Sequence, residues 1–262
     1  MDVRHYLKRI DSSLRQEASL DYLTQLHRNH LMSVPFENLD IVLGSPIELS
    51  NAAIFQKIVE NNRGGFCYEL NGLFAWLLTE LKFDVTMLSG RVIKDGKPGP
   101  EFDHMLLLVK LEKPYLADVG FGESFTEPIP LDDQEHCQRG VCYRVLERED
   151  GLMLAEKKPG KLWEDQLLFT LEPRGLSDFE DTCLYQQTDP NSTFTNHTKC
   201  SMATENGRVT FWDNRLIITS DKERTKQPIV SEEQVRGILR DHFAIILPEF
   251  VKKQKLLRPI SS

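Results

Sequence analysis

Residues 63–71 of the chain read RGGFCYELN, and this stretch determines where a break in the chain ends and the main helix of its first part begins. Two adjacent glycines form a natural break, and Cys67 follows them at the start of a periodic apolar run. The apolar residues recur at steps of three or four, at Leu70, Phe74, Leu77, Leu78 and Leu81. This period predicts a helix that begins at or near Cys67 and carries the thiol on its apolar face.

The chain on either side of this stretch divides by pattern. Upstream, helical spacing of apolar residues marks Asp2–Arg9, Leu20–Leu31 and a short amphipathic segment that starts near Asn51. Downstream of about Phe83, short runs of branched and aromatic residues alternate with turn residues, which predicts strands. These runs are Val85–Val92, Met105–Leu111, Tyr115–Val119, Val141–Leu146, Leu152–Glu156 and Leu167–Leu171. Several short strands in succession predict an antiparallel barrel or sandwich.

The last part of the chain mixes both patterns. Arg208–Trp212 and Leu216–Thr219 are typical of a hairpin, and Ser231 begins a capping-box pattern for a helix that runs to about Leu247. Helices, then strands, then a mixed tail together predict an α+β fold.

Composition limits the function classes. The chain has 262 residues, a formal net charge of -8 and a pI near 5.5, which argues against general binding of nucleic acids. We find no signal peptide and no apolar run long enough to span a bilayer, so we expect a cytoplasmic protein without membrane contact. Five cysteines, none in a CxxC pair, predict five free thiols and no metal site.

Cys67 is the first candidate for chemistry. Unpaired N–H groups at a helix N-terminus favour a thiolate over a thiol, and the same groups stabilise an oxyanion on an attacked carbonyl. The two glycines before it would let a substrate approach the backbone closely. The competing interpretation is a small buried hydrophobic residue on a core-facing helix.

His104 and Asp118 are the candidates for a partnering base and acid. His104 opens an apolar strand, and Asp118 lies inside the next strand-like run, where an unpaired carboxylate would be costly to bury. In a hairpin the two side chains project from the same face, but pairing across a three-residue loop sets Asp118 opposite Leu108. A bulge or strand twist is then needed to bring the acid to the histidine. Alternatively, His104 is a solvent-exposed strand end and Asp118 a turn residue. With Cys67 the two would form a nucleophile, base and orienting acid.

Four motifs together resemble the arylamine N-acetyltransferases. They are RGGFCYELN at 63–71, His104 at the head of its strand, DVGFG at 118–122 and VPFENL at 34–39. The resemblance covers most of the first 125 residues and is looser beyond them. The chain lacks the long insertion after the barrel that animal members carry, which favours a bacterial-type enzyme.

The resemblance implies a three-part fold with a papain-like catalytic core. Residues 1–83 would form a helical bundle with the cysteine, residues 84–190 a β-barrel with His104 and Asp118, and residues 191–262 an α/β lid. It implies a ping-pong reaction: acetyl-CoA acylates Cys67, and an arylamine, an arylhydrazine or a related aromatic amine then takes the acetyl group. The triad would be Cys67, His104 and Asp118.

The resemblance also implies roles for residues around the triad. Phe36, Val92 and Phe121 match positions that line the acceptor pocket, and Glu37 with Arg63 matches a structural ion pair. It assigns no residue to the coenzyme phosphates, and the sequence leaves the oligomeric state and the preferred amine open. Two other functions share these motifs: an amide synthase or thioester hydrolase on the same triad, and a binding module without activity.

Overall fold

The computed structural model describes residues 1–220, 223–248 and 256–257, and it has the α+β architecture that the sequence predicts. Its helices are α1 Val3–Arg9, α2 Leu20–Ser33, α3 Leu39–Leu43, α4 Asn51–Phe55, α5 Cys67–Glu80, α6 Glu180–Thr188, α7 Thr193–Asn196 and α8 Glu232–Phe243. A π-helical turn, Gln56–Glu60, continues α4, and a 3-10 turn, Leu176–Phe179, leads into α6. Within these residues no helix combines the length and apolar character needed to cross a membrane.

The strands form two sheets. They are β1 Phe36–Glu37, β2 Asp84–Lys94, β3 Lys97–Pro98, β4 His104–Lys110, β5 Pro114–Ala117, β6 Ile129–Pro130, β7 His136–Gln138, β8 Val141–Arg148, β9 Gly151–Lys157, β10 Glu164–Phe169, β11 Lys199–Thr204, β12 Gly207–Trp212, β13 Arg215–Ser220 and β14 Arg224–Pro228. The larger sheet has the order β6-β5-β4-β2-β10-β9-β8-β7, with β3 beside β2, and forms a nearly closed antiparallel barrel. The smaller sheet has the order β1-β11-β12-β13-β14. Because β1 comes from the helical region, the second sheet ties that region to the strands between residues 199 and 228.

Helix α5 lies at the centre of the main core. Eleven of its residues are buried, from Cys67 to Leu78, because the helix is apolar on nearly every side and packs against β2 and β4. Tyr6, Tyr22 and Phe74 lie fully buried in the same core. The helix that carries the thiol is therefore held by the main hydrophobic core.

The glycines before α5 are required by the protein's own packing. A β-carbon at Gly64 would lie 2.0 Å from the carbonyl oxygen of Pro35, and one at Gly65 would lie 2.8 Å from the side chain of Glu69. The backbone N–H of Glu37 donates to the carbonyl of Gly65 over 2.8 Å. The segment thus runs against β1 at a distance that no larger residue allows.

Two sequence predictions about local structure are wrong. The last helix ends at Phe243, not near Leu247, because Ala244 adopts a left-handed conformation with φ 55°. Beyond it Ile245 and Leu247 are buried while Ile246 is 81% exposed, an alternation that belongs to an extended chain. The two apolar residues reach the core formed with Leu239 only after the helix stops.

The prediction of five free thiols is also wrong, because Cys137 and Cys142 form a disulfide. They lie directly opposite each other in the β7–β8 hairpin. Its two-residue turn, Arg139-Gly140, has positive φ at both positions, which is the backbone of a tight hairpin turn. Glu135 and these two sulfurs lie close together, but sulfurs joined in a disulfide are not thiolate ligands. Cys67, Cys183 and Cys200 are free and buried.

We predict that Gly64→Ala lowers the free energy of unfolding by about 3 kcal/mol, because the new methyl group displaces the backbone of Pro35. Gly237→Ala is the matched control: it lies in α8 with no atom within 4 Å of its added carbon. That change should stabilise the protein by about 0.5–1 kcal/mol. Urea unfolding of both variants measures the difference, and equal stabilities would contradict the packing interpretation.

Candidate active site

Cys67 lies where α5 begins, against the end of the barrel sheet. Its residue is only 3% exposed, and a β-carbon at Gly120 would lie 2.8 Å from its α-carbon. Burial raises the pKa of the thiol well above its usual range, and a backbone hydrogen bond from Met105 partly offsets the increase. The thiol therefore contacts the residue that directly follows His104.

His104 and Asp118 are brought together by the β4–β5 hairpin. The Nε2 atom of the histidine and Oδ2 of the aspartate are 2.6 Å apart, and both side chains are buried. Leu107 pairs with Ala117, so the register, extended by one residue, sets Asp118 opposite Leu106 and not opposite Leu108. His104 lies two residues from Leu106 on the same strand. A histidine ring spans this cross-strand diagonal to reach Asp118, so no bulge is needed.

Both oxygens of the Asp118 carboxylate make hydrogen bonds. Oδ2 faces His104, and Oδ1 accepts from Nδ2 of Asn71 and from the backbone N–H of Gly120, each over 2.8 Å. Burial alone would raise the pKa of Asp118, but the charge of His104 and these hydrogen bonds outweigh it and lower the pKa. Asp118 is therefore ionised at neutral pH.

Asn71 links three parts of the site, and the sequence analysis gave it no role. It lies one turn after Cys67 in α5, and its Nδ2 donates to the carbonyl of Met105 over 2.6 Å as well as to Asp118. Its Oδ1 accepts from the backbone N–H of Val119 over 2.9 Å. An amide on an otherwise apolar helix face was the available signal, because a buried amide needs partners.

His27, from α2, fixes the backbone of the acid and was also missed. Its Nδ1 donates to the carbonyl of Thr126 over 3.0 Å, and its Nε2 accepts from the N–H of Asp118 over 3.1 Å. This pattern needs the neutral ring, and burial lowers the pKa of His27 to about 4. Its ring stacks on Phe125 with centroids 5.7 Å apart.

The three predicted acceptor-pocket residues lie near the His104 end of the barrel. The ring of Phe121 meets the ring of His104 edge to face, with centroids 5.0 Å apart. A β-carbon at Gly122 would touch the ring of Phe36 at 3.7 Å. Val92 lies two residues beyond Gly90, which pairs with His104, so Val92 projects from the same face of the sheet.

A buried chain of charges holds the segment before Cys67. The predicted pair between Arg63 and Glu37 forms at 2.8 Å, and Arg63 also contacts Asp40 at 2.8 Å. Lys57 continues the chain from Asp40, at 2.7 Å, to Glu69, at 2.8 Å. Phe66 directly precedes the cysteine, and its backbone N–H donates to Oε2 of Glu69 over 3.1 Å.

A cysteine at a helix N-terminus beside a buried histidine–aspartate pair defines the class of site that cysteine enzymes use for covalent catalysis. A family model described as N-acetyltransferase matches residues 19–251. The chain belongs to the arylamine N-acetyltransferase family, and it is accordingly an acyltransferase.

Individual relatives agree over nearly the whole chain. An arylamine N-acetyltransferase from Mycolicibacterium smegmatis is 36% identical and covers 94% of this chain and 93% of its own length. The solved structure of an M. smegmatis arylamine N-acetyltransferase has a TM-score of 0.89 at 33% identity, covering 98% of this chain and 96% of that one. The Mycobacterium marinum enzyme in complex with CoA has a TM-score of 0.86 at 31% identity, covering 93% of each chain. The predicted fold and the predicted family are thus confirmed.

The geometry of His27 predicts a pH dependence of stability. The pKa of this ring is about 4 in the folded protein and 6.5 as a free side chain. Between these values the unfolded chain binds more protons, so the stabilisation from the neutral ring is complete above pH 6.5 and lost towards pH 4. The loss amounts to at most about 3 kcal/mol.

Denaturant unfolding between pH 7 and pH 4 measures this slope in the wild type and in His27→Gln, whose amide takes up no proton. We expect the free energy of unfolding to depend less steeply on pH in the variant. Part of the dependence that remains is due to His30, because burial lowers its pKa as well. An identical slope in both proteins would contradict the assignment.

Proposed function

We propose that this enzyme transfers acetyl groups from acetyl-CoA to aromatic amines or hydrazines by a ping-pong mechanism through a thioester on Cys67. The observation that carries the proposal is the 2.6 Å hydrogen bond between buried His104 and Asp118 next to that cysteine. The CoA complex of the M. marinum relative supports the donor.

In the first half-reaction His104 accepts the proton of the Cys67 thiol, and the thiolate attacks the carbonyl carbon of acetyl-CoA. Because Nε2 of His104 faces Asp118, Nδ1 is the ring atom left to take that proton. The C–S bond to CoA breaks, and the CoA sulfur leaves with the proton that the imidazolium returns. Acetyl-Cys67 and free CoA are the products.

The second half-reaction runs the same chemistry towards the amine. A neutral arylamine attacks the carbonyl of acetyl-Cys67, His104 accepts a proton from the amine nitrogen, and the bond to the Cys67 sulfur breaks. The acetylated amine leaves, and the proton returns to the thiolate. Acetyl-CoA and acetyl-Cys67 are thioesters of similar energy, so the first half-reaction is reversible, whereas the second converts a thioester into a more stable amide and runs forward.

Because Cys67 is buried, formation of its thiolate depends on the histidine. A thiol whose pKa is raised by burial is protonated at neutral pH, so thiolate forms only as a pair with a protonated neighbour. Asp118 stabilises the imidazolium in that pair and holds the ring in one tautomer. Free N–H groups in the first turn of α5 would stabilise the oxyanion of the attacked carbonyl.

We also propose the division of the chain that the family resemblance implied. Residues 1–83 would be the helical bundle with Cys67, residues 84–190 the β-barrel with His104 and Asp118, and residues 191–262 the α/β lid, of which the structure describes 191–220, 223–248 and 256–257. Phe36, Val92 and Phe121 would line the acceptor pocket, where flat and branched walls suit an aromatic ring.

Trapping of the acetyl-enzyme tests the nucleophile. We predict that intact protein exposed to acetyl-CoA gains one acetyl group, and that Cys67→Ala abolishes the gain because it removes the attacking sulfur. Cys183→Ser, which alters another buried free thiol, should keep it. Intact-mass spectrometry reads the adduct. An adduct that persists in Cys67→Ala would refute the thioester assignment.

Variants of the base and the acid test the pair. We expect His104→Ala to lower the acylation rate about as far as Cys67→Ala does, since residues that act as a unit are not additive. Asp118→Asn should keep the fold but lower the rate by about 10³-fold or more, because the amide favours the wrong ring tautomer. Stopped-flow release of CoA measures both. A normal acylation rate in Asp118→Asn would show that Asp118 does not orient the histidine ring.

Product analysis separates transfer from the two other reactions that this triad supports. With acetyl-CoA and an arylamine present, an acetyltransferase yields acetylated amine, whereas a thioester hydrolase yields free acetate. An amide synthase would instead resolve the thioester with an amine tethered in the same substrate. Acetate without acetylated amine would overturn the proposed transfer.

A further inference from the structure

A large cavity lies between the barrel sheet and the smaller sheet, outside the triad. Its volume is about 730 Å³, and residues of β8, β9 and β11–β13 line it. Five of the lining residues are basic, namely Arg139, Lys158, Lys199, Arg208 and Arg224, and two are acidic, Glu123 and Glu156. The lining is thus positive by three charges in a chain whose formal net charge is -8.

One face of the smaller sheet turns polar side chains towards this cavity. In β11 and β12 the facing pairs are Lys199 with Trp212, Ser201 with Thr210, and Ala203 with Arg208. The residues between them, including Cys200, Val209 and Phe211, are buried in the core on the opposite face. Strand alternation therefore separates an apolar face from a cationic one, and the cationic face is covered by the barrel.

Lys199 is a partly buried cation without a carboxylate partner in the described part of the chain. Its Nζ lies 4.8 Å from the ring centre of Phe36 and 5.9 Å from that of Trp212. Burial, together with the charge of Arg208, lowers the pKa of Lys199 to about 8, while Glu123 acts in the opposite direction. A desolvated amine beside a second cation is costly unless an anion joins it.

Arg208 has an electrostatic environment similar to that of Lys199. Its Nη1 donates to the hydroxyl of Ser201 over 3.0 Å, and that hydroxyl pairs with Thr210 at 2.8 Å. Burial lowers the pKa of Arg208, Glu123 raises it, and Arg139 lowers it. Within the residues described, the guanidinium makes no salt bridge, so donors remain for a ligand.

The cationic face reaches the active site through Gly122. A β-carbon at Gly122 would lie 3.0 Å from Nζ of Lys199, and Gly122 directly follows Phe121, whose ring contacts His104. Lys199 therefore lies beside the loop that carries Asp118 and Phe121.

We propose that Lys199 and Arg208 form a binding site for an oxyanion carried by a reactant of this enzyme. The anion is a phosphate of the CoA donor or a carboxylate on an acidic arylamine; both are oxyanions that accept charge-assisted hydrogen bonds from these two side chains. This assignment rests on the proposed function only for the identity of the two reactants.

Equilibrium binding tests the donor as the source of the anion. CoA is titrated calorimetrically into wild type, Lys199→Met, Arg208→Gln and Lys113→Met, the last an exposed lysine that controls for the lost charge. If a CoA phosphate occupies the site, the Kd should rise about 10- to 100-fold in the first two variants and stay unchanged in the control. CoA binding needs no acyl transfer, so this result does not depend on the thioester mechanism.

Steady-state kinetics test the acceptor as the source. The ratio of kcat/KM for 4-aminobenzoate to that for 4-methylaniline compares a carboxylate with a methyl group on the same ring. If the acceptor's carboxylate occupies the site, Lys199→Met should lower this ratio about 10-fold or more and leave CoA binding unchanged. If neither the Kd nor the ratio differs from the Lys113→Met control, the anion site is refuted.

Thermal unfolding distinguishes the proposal from a purely structural role. Removal of a partly buried cation that has no carboxylate partner among the described residues should leave Tm unchanged or raise it, so Lys199→Met should be at least as stable as the wild type while binding more weakly. A lower Tm together with unchanged ligand parameters would make Lys199 a packing residue. Arg208→Gln gives the same comparison with a second side chain.

Discussion

The buried carboxylate of Asp118 is the constraint on which the rest of the site depends. A desolvated charge requires donors, and here they come from three different places: β4 through His104, α5 through Asn71, and the following loop through Gly120. The backbone N–H of Asp118 in turn donates to His27 of α2. Each donor fixes one element relative to the others. The electrostatic requirement of one side chain thereby sets the arrangement of helices and barrel around the cysteine.

The start of α5 is fixed in a second and independent way. The ion chain from Glu37 through Arg63, Asp40 and Lys57 ends at Glu69, which accepts the N–H group just before Cys67. The two glycines allow this segment to lie against β1. Removal of one partner would leave buried charges unpaired, so the network acts on the position of the nucleophile without touching a substrate.

Charge is distributed unevenly in this acidic protein. The carboxylates around α5 are paired within the chain, whereas the cations on the cavity face of the smaller sheet lack such partners among the described residues. A folded protein gains nothing from desolvating like charges beside each other, so the arrangement is best explained by a ligand that supplies the opposite charge.

The sequence by itself determined the features that depend on local pattern: the helix from Cys67, the main strands, the α+β order and the motifs that identify the family. The register of the β4–β5 hairpin, the disulfide across the Arg139-Gly140 turn and the end of α8 at Phe243 were decided by turn conformations that residue periodicity does not encode. Roles for Asn71, His27 and Lys199 also came only from tertiary structure. Each depends on what a buried polar group meets from a distant part of the chain, because its desolvation must be compensated by partners that sequence spacing cannot reveal.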